Sequence, residues 1–406
     1  MSSGTSPLAG VTVVSLEQAV AAPLATSRLA DAGARVIKVE RPEGDFARGY
    51  DTMADGISAY FGWLNGDKES IALDLKNPAD LDVMRRLVDG ADVFVQNLAV
   101  GAAGRMGLDV ATLQATNPGL IVCDLSGYGP EGPYAEMKAY DLLVQAESGI
   151  LSVSGAPGPF GRVGVSLVDL STGLNAAIAI MQALYRKAQT GEGAHLETSL
   201  FASAADWMTV PLLQFEATGR GPERVGLAHP SISPYGGFET GDGDVIVISI
   251  QSDREWRTLC EGVLERPELG TDPRFATNPD RVAHRAETDG IVAEVFGGLD
   301  RDIVIGRLRA ARIAFGQVND VAGLAAHPQL RRSRTLHGAG SFQLPGPPVT
   351  TDWARTRVVP DLDQHGAAIR AELLAEAGPP AQDRTAPDTT VTQRQHETGR
   401  QHETGR

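Results

Sequence analysis

The chain has 406 residues, 42% hydrophobic and 21% charged, the make-up of a globular protein with room for two or three domains. A formal net charge of −15 excludes a general nucleic-acid surface, although a local gathering of Lys and Arg can still hold an anion. Two cysteines are too few for a disulfide framework and no CxxC or HExxH motif marks a metal site; with no signal-peptide pattern and no apolar run of membrane-spanning length, the expectation is a cytoplasmic protein with no membrane partner.

The first third alternates strand-like and helix-like segments. VTVVSL reads as a buried strand and AAPLATSRLADAG as a helix ending at Gly33. ARVIKVE, ESIALDL, ADVFVQN and GLIVCDLSGYG follow as strands, with the helical pattern NPADLDVMRRLVDG between the third and fourth of the series. Such alternation predicts an α/β fold with a doubly wound parallel sheet, whose ligands bind beyond the carboxyl ends of the strands. Those ends carry Glu17 and Gln18, Lys38 to Arg41, Lys76, Asn97, and Ser126 to Tyr128. Neither GxGxxG after the first strand nor a GxxxxGK[ST] loop is present, and GxSxG is absent, so both nucleotide fingerprints and the usual serine-hydrolase elbow are missing.

Residues 174–189 read as a long helix closed by TGEG, followed by the strand or helix start AHLETSL. From Arg220 the chain turns rich in Gly and Pro, which predicts an extended segment. FETGDGDVIVISI then has the pattern of a hairpin around Gly-Asp-Gly. DREWRTLCEGVL and DIVIGRLRAARI read as amphipathic helices of a smaller α+β domain. The expected division is a large Rossmann-like domain over 1–205, a linker over 206–224 and a small domain over 225–330. Residues 331–375 are expected to hold another strand or two and a final helix, and 376–406 to be a polar, disordered tail ending in the repeat QHETGR-QHETGR.

One carboxylate stands out. In GVSLVDLSTG, Asp169 lies among small and apolar residues ahead of the apolar run AAIAIMQALY. Asp169 or Ser171 can cap a helix beginning near Leu174, or Asp169 can do chemistry.

Six stretches occur in order: VIKVERPEGDFARG, LNGDKESIALDLKNP, DVFVQNLAVGAAGRMGLD, NPGLIVCDLSGYGPEGPY, AYDLLVQAESG and VDLSTGLNAAIAIMQALYRKAQTGEG. Together they resemble the class III CoA-transferase family, which includes formyl-CoA transferase and is similar to α-methylacyl-CoA racemase. The resemblance runs from about residue 8 to about 375. It implies that residues 331–375 are a C-terminal return to the large domain, and that two subunits thread through one another as an interlocked, ring-like homodimer. It implies no permanently bound cofactor, with a CoA thioester and a carboxylic acid as substrates. Asp169 falls on the family's catalytic carboxylate, which passes through a mixed anhydride and an aspartyl-CoA thioester. Tyr140 and Gln18 are candidates for support. Arg41, Leu73, Lys76, Asn97, Arg105, Met106 and Lys138 match CoA-contacting positions. The smallness of Ser171 and Gly173 would let a bulky thioester approach.

Racemases carry His where this chain has Tyr140, and a phenol is a poor proton shuttle at neutral pH, so the transferase branch is favoured. Two alternatives stay open: an isomerase using Asp169 as base, and a non-catalytic acyl-CoA-binding protein. The four-glycine loop of formyl-CoA transferase is missing. Its place reads HPSISPYGGF, Gln18 stands two residues early, and Val20 occupies the matching place, so formate and oxalate are not the expected acids. HPSISPYGGF resembles instead the branch acting on C4–C5 dicarboxylates, such as itaconate, mesaconate and succinate. His229 and Tyr235 would then line an acceptor pocket, and Arg220 or Arg224 would grip a distal carboxylate.

Overall fold

The computed structural model describes residues 6–376. Six parallel strands form the main sheet: β1 (Thr12–Leu16), β2 (Arg35–Glu40), β3 (Lys68–Ala72), β4 (Val93–Gln96), β5 (Ile121–Ser126) and β6 (Ala194–Ser199). Their order is β3-β2-β1-β4-β5-β6, so the winding reverses between β1 and β4. Apolar residues pack on both faces, as in a sheet covered by helices on either side. On one face Val13, Val36, Val95 and Cys123 meet Ala25 and Leu29 of the Ala21–Asp31 helix and Val168 and Ile180 of the Leu167–Thr190 helix. On the other, Val14, Ile37, Phe94 and Val122 meet Met84 and Leu87 of the Pro78–Asp89 helix.

Ile369 and Leu373 of the C-terminal helix Gly366–Glu376 belong to that second core cluster. The chain therefore returns to the main sheet. It also closes the free edge of β3, because the Asp67 amide donates to Val358 O at 2.7 Å and the His365 amide to Ser70 O at 2.9 Å. An open edge would otherwise be a pairing template for another chain. The returning segment makes a three-stranded sheet of β10 (Arg332–His337), β11 (Gly340–Pro345) and β12 (Arg357–Val359), in which β10 pairs antiparallel with β11 and parallel with β12.

Between the two parts lies an antiparallel sheet of β7 (Tyr235–Glu239), β8 (Val245–Ser249) and β9 (Phe315–Gln317). Its Phe238, Ile246 and Ile248 share a core with Trp256 and Leu259 of the Asp253–Gly262 helix and Leu308 of the Arg301–Ala310 helix. The expected hairpin is thus present and gains a third strand from sequence far downstream. The 206–224 segment takes in the end of the Leu200–Trp207 helix and the whole Thr209–Thr218 helix before the extended chain that starts at Arg220. The tail repeat lies outside the described residues.

The long helix begins earlier than its composition indicates, at Leu167 and not near Leu174. By length and hydropathy it could cross a membrane, yet one face packs on the Ala21–Asp31 helix. Gly173 makes that packing possible. A Cβ there would stand 2.5 Å from Ala21 O and 2.9 Å from Leu24 Cβ. The smallness that the sequence suggests for the approach of a thioester here admits a helix–helix contact. Ser171 is likewise buried, and its hydroxyl donates to Val168 O at 3.0 Å.

Candidate active site

A cleft of about 820 Å³ opens where the strand order reverses. That is where open α/β sheets bind ligands, and the volume suits a small-molecule site. Gln18, Ala19 and Val20 line it after β1; Asn97, Leu98 and Ala99 line it after β4. The two loops are tied reciprocally: the Gln18 amide donates to Asn97 Oδ1 at 3.0 Å, and Asn97 Nδ2 donates to Gln18 O at 2.9 Å.

Asp169 enters the cleft from the first turn of the Leu167–Thr190 helix. It is not the cap: Ser166 holds that position without a capping side-chain bond. The cap comes instead from Asp141, a buried carboxylate whose Oδ1 accepts the Val168 amide at 2.8 Å. Gln145 Nε2 donates to its other oxygen at 2.8 Å. Burial pushes the Asp169 carboxyl up to about 7, and the neighbouring Asp141 charge adds to the rise. The helix N-terminus opposes this by favouring an anion in the first turn. At neutral pH the group is therefore shared between acid and carboxylate, and its ionised form is poorly hydrated, which suits a nucleophile or a base.

Phe46, Tyr50 and Tyr60 form an aromatic wall beside it. The Tyr50 and Tyr60 rings meet edge-on, with centroids 5.9 Å apart, and the Tyr60 hydroxyl lies 3.0 Å from Ser166 Oγ. Burial, then the Asp45 and Asp169 charges, push the Tyr50 hydroxyl up to about 12, so it remains a hydrogen-bond donor.

This wall stands on buried charge. Lys38 Nζ donates to Asp45 Oδ2 at 2.9 Å, and Lys68 Nζ donates to Glu17 Oε1 at 2.7 Å, all four side chains being fully buried. Asp45 Oδ1 also accepts the amides of Ala47, at 2.9 Å, and Ala19, at 3.2 Å. Ala19 is held at φ 65°, a left-handed conformation that costs energy for any residue with a Cβ. Asp45 thus joins the loop after β1 to the turn that carries Phe46 and Tyr50. Nearby, burial works against the Glu40 charge, but the Arg48 guanidinium overcomes it and holds the carboxyl down at about 2.

Of the residues singled out from sequence, Gln18, Asn97, Arg105, Lys138, Tyr140 and Asp169 line this one cleft. Arg41, Leu73, Lys76 and Met106 are not among its lining residues. Arg41 Nε donates to Gly44 O at 2.8 Å, Leu73 is buried in the core, Met106 packs against that core, and Lys76 stands in an exposed turn. His229 stacks on Tyr235 with ring centroids 5.2 Å apart, within the segment leading into β7. Neither it nor Arg220 nor Arg224 lines the cleft. The side chains that sequence reading passed over are Tyr50, Tyr60, Asp141 and Arg162. Among the described residues no group of three His, Cys, Asp or Glu could hold a metal ion.

Residues 8–366 match the model of CoA-transferase family III. The chain is 36% identical to the acetyl-CoA:oxalate CoA-transferase of Acetobacter aceti, covering 91% of this chain and 96% of the relative. It is 35% identical to the succinate–glutarate CoA-transferase of Agrobacterium fabrum, covering 90% and 96%. A crystal structure of a CAIB/BAIF family protein from Brucella suis superposes with a TM-score of 0.78 at 36% identity, covering 91% of this chain and 99% of that one.

Proposed function

The chain belongs to CoA-transferase family III, and from that premise we propose that it moves CoA from an acyl-CoA to a free dicarboxylic acid through Asp169. The observation that carries this reading is the Asp169 carboxyl itself, raised to about 7 at the switch point of the parallel sheet. In its ionised form it attacks the thioester carbonyl, and the C–S bond breaks to give an aspartyl–acyl anhydride and CoA thiolate. The thiolate attacks the aspartyl carbonyl, the acyl carboxylate leaves, and an aspartyl-CoA thioester remains. The acceptor carboxylate attacks that thioester, forming a second anhydride and freeing the thiolate. The thiolate then takes the acceptor acyl group and regenerates the Asp169 carboxylate. Each step exchanges one acyl bond for another, with no net change in protons. Arg105 and Lys138 supply the positive charge for the CoA phosphates, and Tyr50 offers a neutral donor to acyl oxygens as they gain charge.

Support for a dicarboxylate comes from the relatives, whose names give oxalate in one case and succinate and glutarate in the other. Oxalate, disfavoured by the position of Gln18 in sequence, therefore returns to the set of acids to be tried. A screen of succinyl-CoA and acetyl-CoA against oxalate, succinate, glutarate, itaconate and butyrate, read by mass spectrometry of the CoA esters, tests the proposal. Transfer to monocarboxylates alone would contradict it.

A carboxyl poised near 7 is also suited to proton abstraction. Exchange of the α-proton of an acyl-CoA with solvent deuterium, without any acceptor acid, would favour the isomerase reading.

The working unit we propose is a homodimer. Ile178 and Tyr185 on the outer face of the long helix are more than half exposed, and the Thr209–Thr218 helix buries none of its residues although it carries Val210, Leu213 and Phe215. Large apolar side chains exposed in such number are characteristic of an interface.

A further inference from the structure

We infer that Arg162, and neither Arg220 nor Arg224, binds the distal carboxylate of the acid, and that Arg224 is a positioning residue for the loop that carries it. The inference rests on the CoA-transferase reading above. Among the described residues three cations line the cleft: Arg105, Lys138 and Arg162. Arg105 and Lys138 come from the α/β segments after β4 and β5. Arg162 comes from the Gly- and Pro-rich loop before the Asp169 helix, four residues ahead of Ser166, whose hydroxyl meets the Tyr60 wall.

Its guanidinium is largely uncommitted. Nε donates to Val163 O at 3.3 Å, and NH2 stands 3.9 Å from Asp141 Oδ2, beyond hydrogen-bond length, with the side chain 47% exposed. The planar fork is therefore open to a carboxylate, which it matches with two parallel donors. Asp141 is also the carboxylate whose charge acts on Asp169. Arg162 thus stands beside the carboxylate whose charge acts on the nucleophile, and both Arg162 and Asp169 line the one cleft in which a diacid would bind. A monocarboxylate of the same length would leave the fork unfilled.

The loop is strapped from outside. Arg224 NH1 donates to Pro159 O at 2.7 Å and NH2 donates to Gly158 O, while its guanidinium lies 4.7 Å from the Phe160 ring centre. Two residues on, the Gly226 amide donates to Gly155 O at 3.0 Å. On the other side the Val163 amide is held by Gln145 Oε1 at 3.0 Å. Arg224 is consequently spent on backbone carbonyls, and its contribution to acid selection passes through the placement of Arg162.

The test compares glutarate with pentanoate, equal in length, as acceptors from succinyl-CoA, together with the Kd for free CoA. Wild type should prefer glutarate. Arg162→Gln should cost glutarate about ten- to a hundredfold more in kcat/KM than it costs pentanoate, with no loss of affinity for CoA. Arg162→Lys should keep part of the preference, because it restores charge without the fork. Arg224→Gln should erode the same ratio to a smaller degree. An Arg162→Gln enzyme that still prefers glutarate, that loses both acids equally, or that loses CoA affinity instead would overturn the assignment. A wild type that prefers pentanoate overturns it while leaving CoA transfer standing. A wild type that transfers to neither acid, and to none of the other acids of the screen above from succinyl-CoA or acetyl-CoA, overturns both.

Discussion

The buried carboxylate of Asp141 accepts the Val168 amide hydrogen bond at 2.8 Å, one residue before Asp169. One acid therefore caps the helix that presents the other, and its charge helps to keep the second protonated up to about 7. Asp141→Asn keeps an oxygen for the cap but removes the charge. The kcat/KM profile for acyl-CoA, which should rise through about 7 as Asp169 ionises, is expected to move to lower pH in this variant. An inflection that stays in place would show that Asp141 does not set the nucleophile's acidity. The amide also faces the Gln145 Nε2 donor, so a stability loss of about 1–3 kcal/mol accompanies the shift.

The same shift predicts a pH-dependent gain in stability when the charge is deleted. Asp169 ionises near 7 in the folded protein and near the ordinary 3.8 in the unfolded chain. Between those values the unfolded state ionises freely while the folded state resists, so wild-type stability falls as pH rises through the window. Asp169→Asn should melt above wild type at pH 8 and lose that advantage at pH 4. Equal melting curves at both pH values would mean that the folded site does not disfavour the carboxylate.

The charge buried under the aromatic wall makes a larger demand. Lys38→Met leaves Asp45 buried without its cation, and breaking such a pair costs about 3–5 kcal/mol. Denaturant titration should register that loss. A change below about 1 kcal/mol, the scale of an exposed pair, would show that Lys38 is not the counter-charge of Asp45.

For CoA, Arg105→Gln or Lys138→Gln should raise KM for the acyl-CoA by roughly ten- to a hundredfold while raising that for the free acid far less. An equal rise in both would place these cations elsewhere in the reaction.

The centre of the main sheet is legible because β1, β4 and β5 are short runs of mostly buried apolar residues between turn signals, and the alternation with helices points to its parallel sense; the edge strand β6, AHLETS, is half-polar and reads equally as a helix start. Asp169 is legible as a candidate because it lies in the last of six ordered stretches. The start of its helix was not. The cap that allows Leu167 and Val168 to be helical is supplied from 27 residues away by Asp141, and no local pattern announces it. The helix–helix contact at Gly173 is hidden from sequence for a related reason: its partner, Ala21 O, lies on a helix distant in sequence. Tyr50, Tyr60 and Arg162 each sit in a short turn, a short helix or a Gly-Pro loop, and only the closing of the fold brings them to one cleft. The third strand of the small sheet, β9, is three residues long and lacks the alternation that marks a strand in sequence.

The covalent role of Asp169 is the central step of the proposed reaction. Incubating the enzyme with acyl-CoA and no acceptor, then taking intact and peptide masses after a rapid acid quench, measures it. A covalent Asp169 predicts an adduct of one CoA less one water on the peptide containing it, absent in Asp169→Asn, which should also fail to transfer CoA. Near-normal transfer by Asp169→Asn, or a CoA adduct on a different residue, would contradict it.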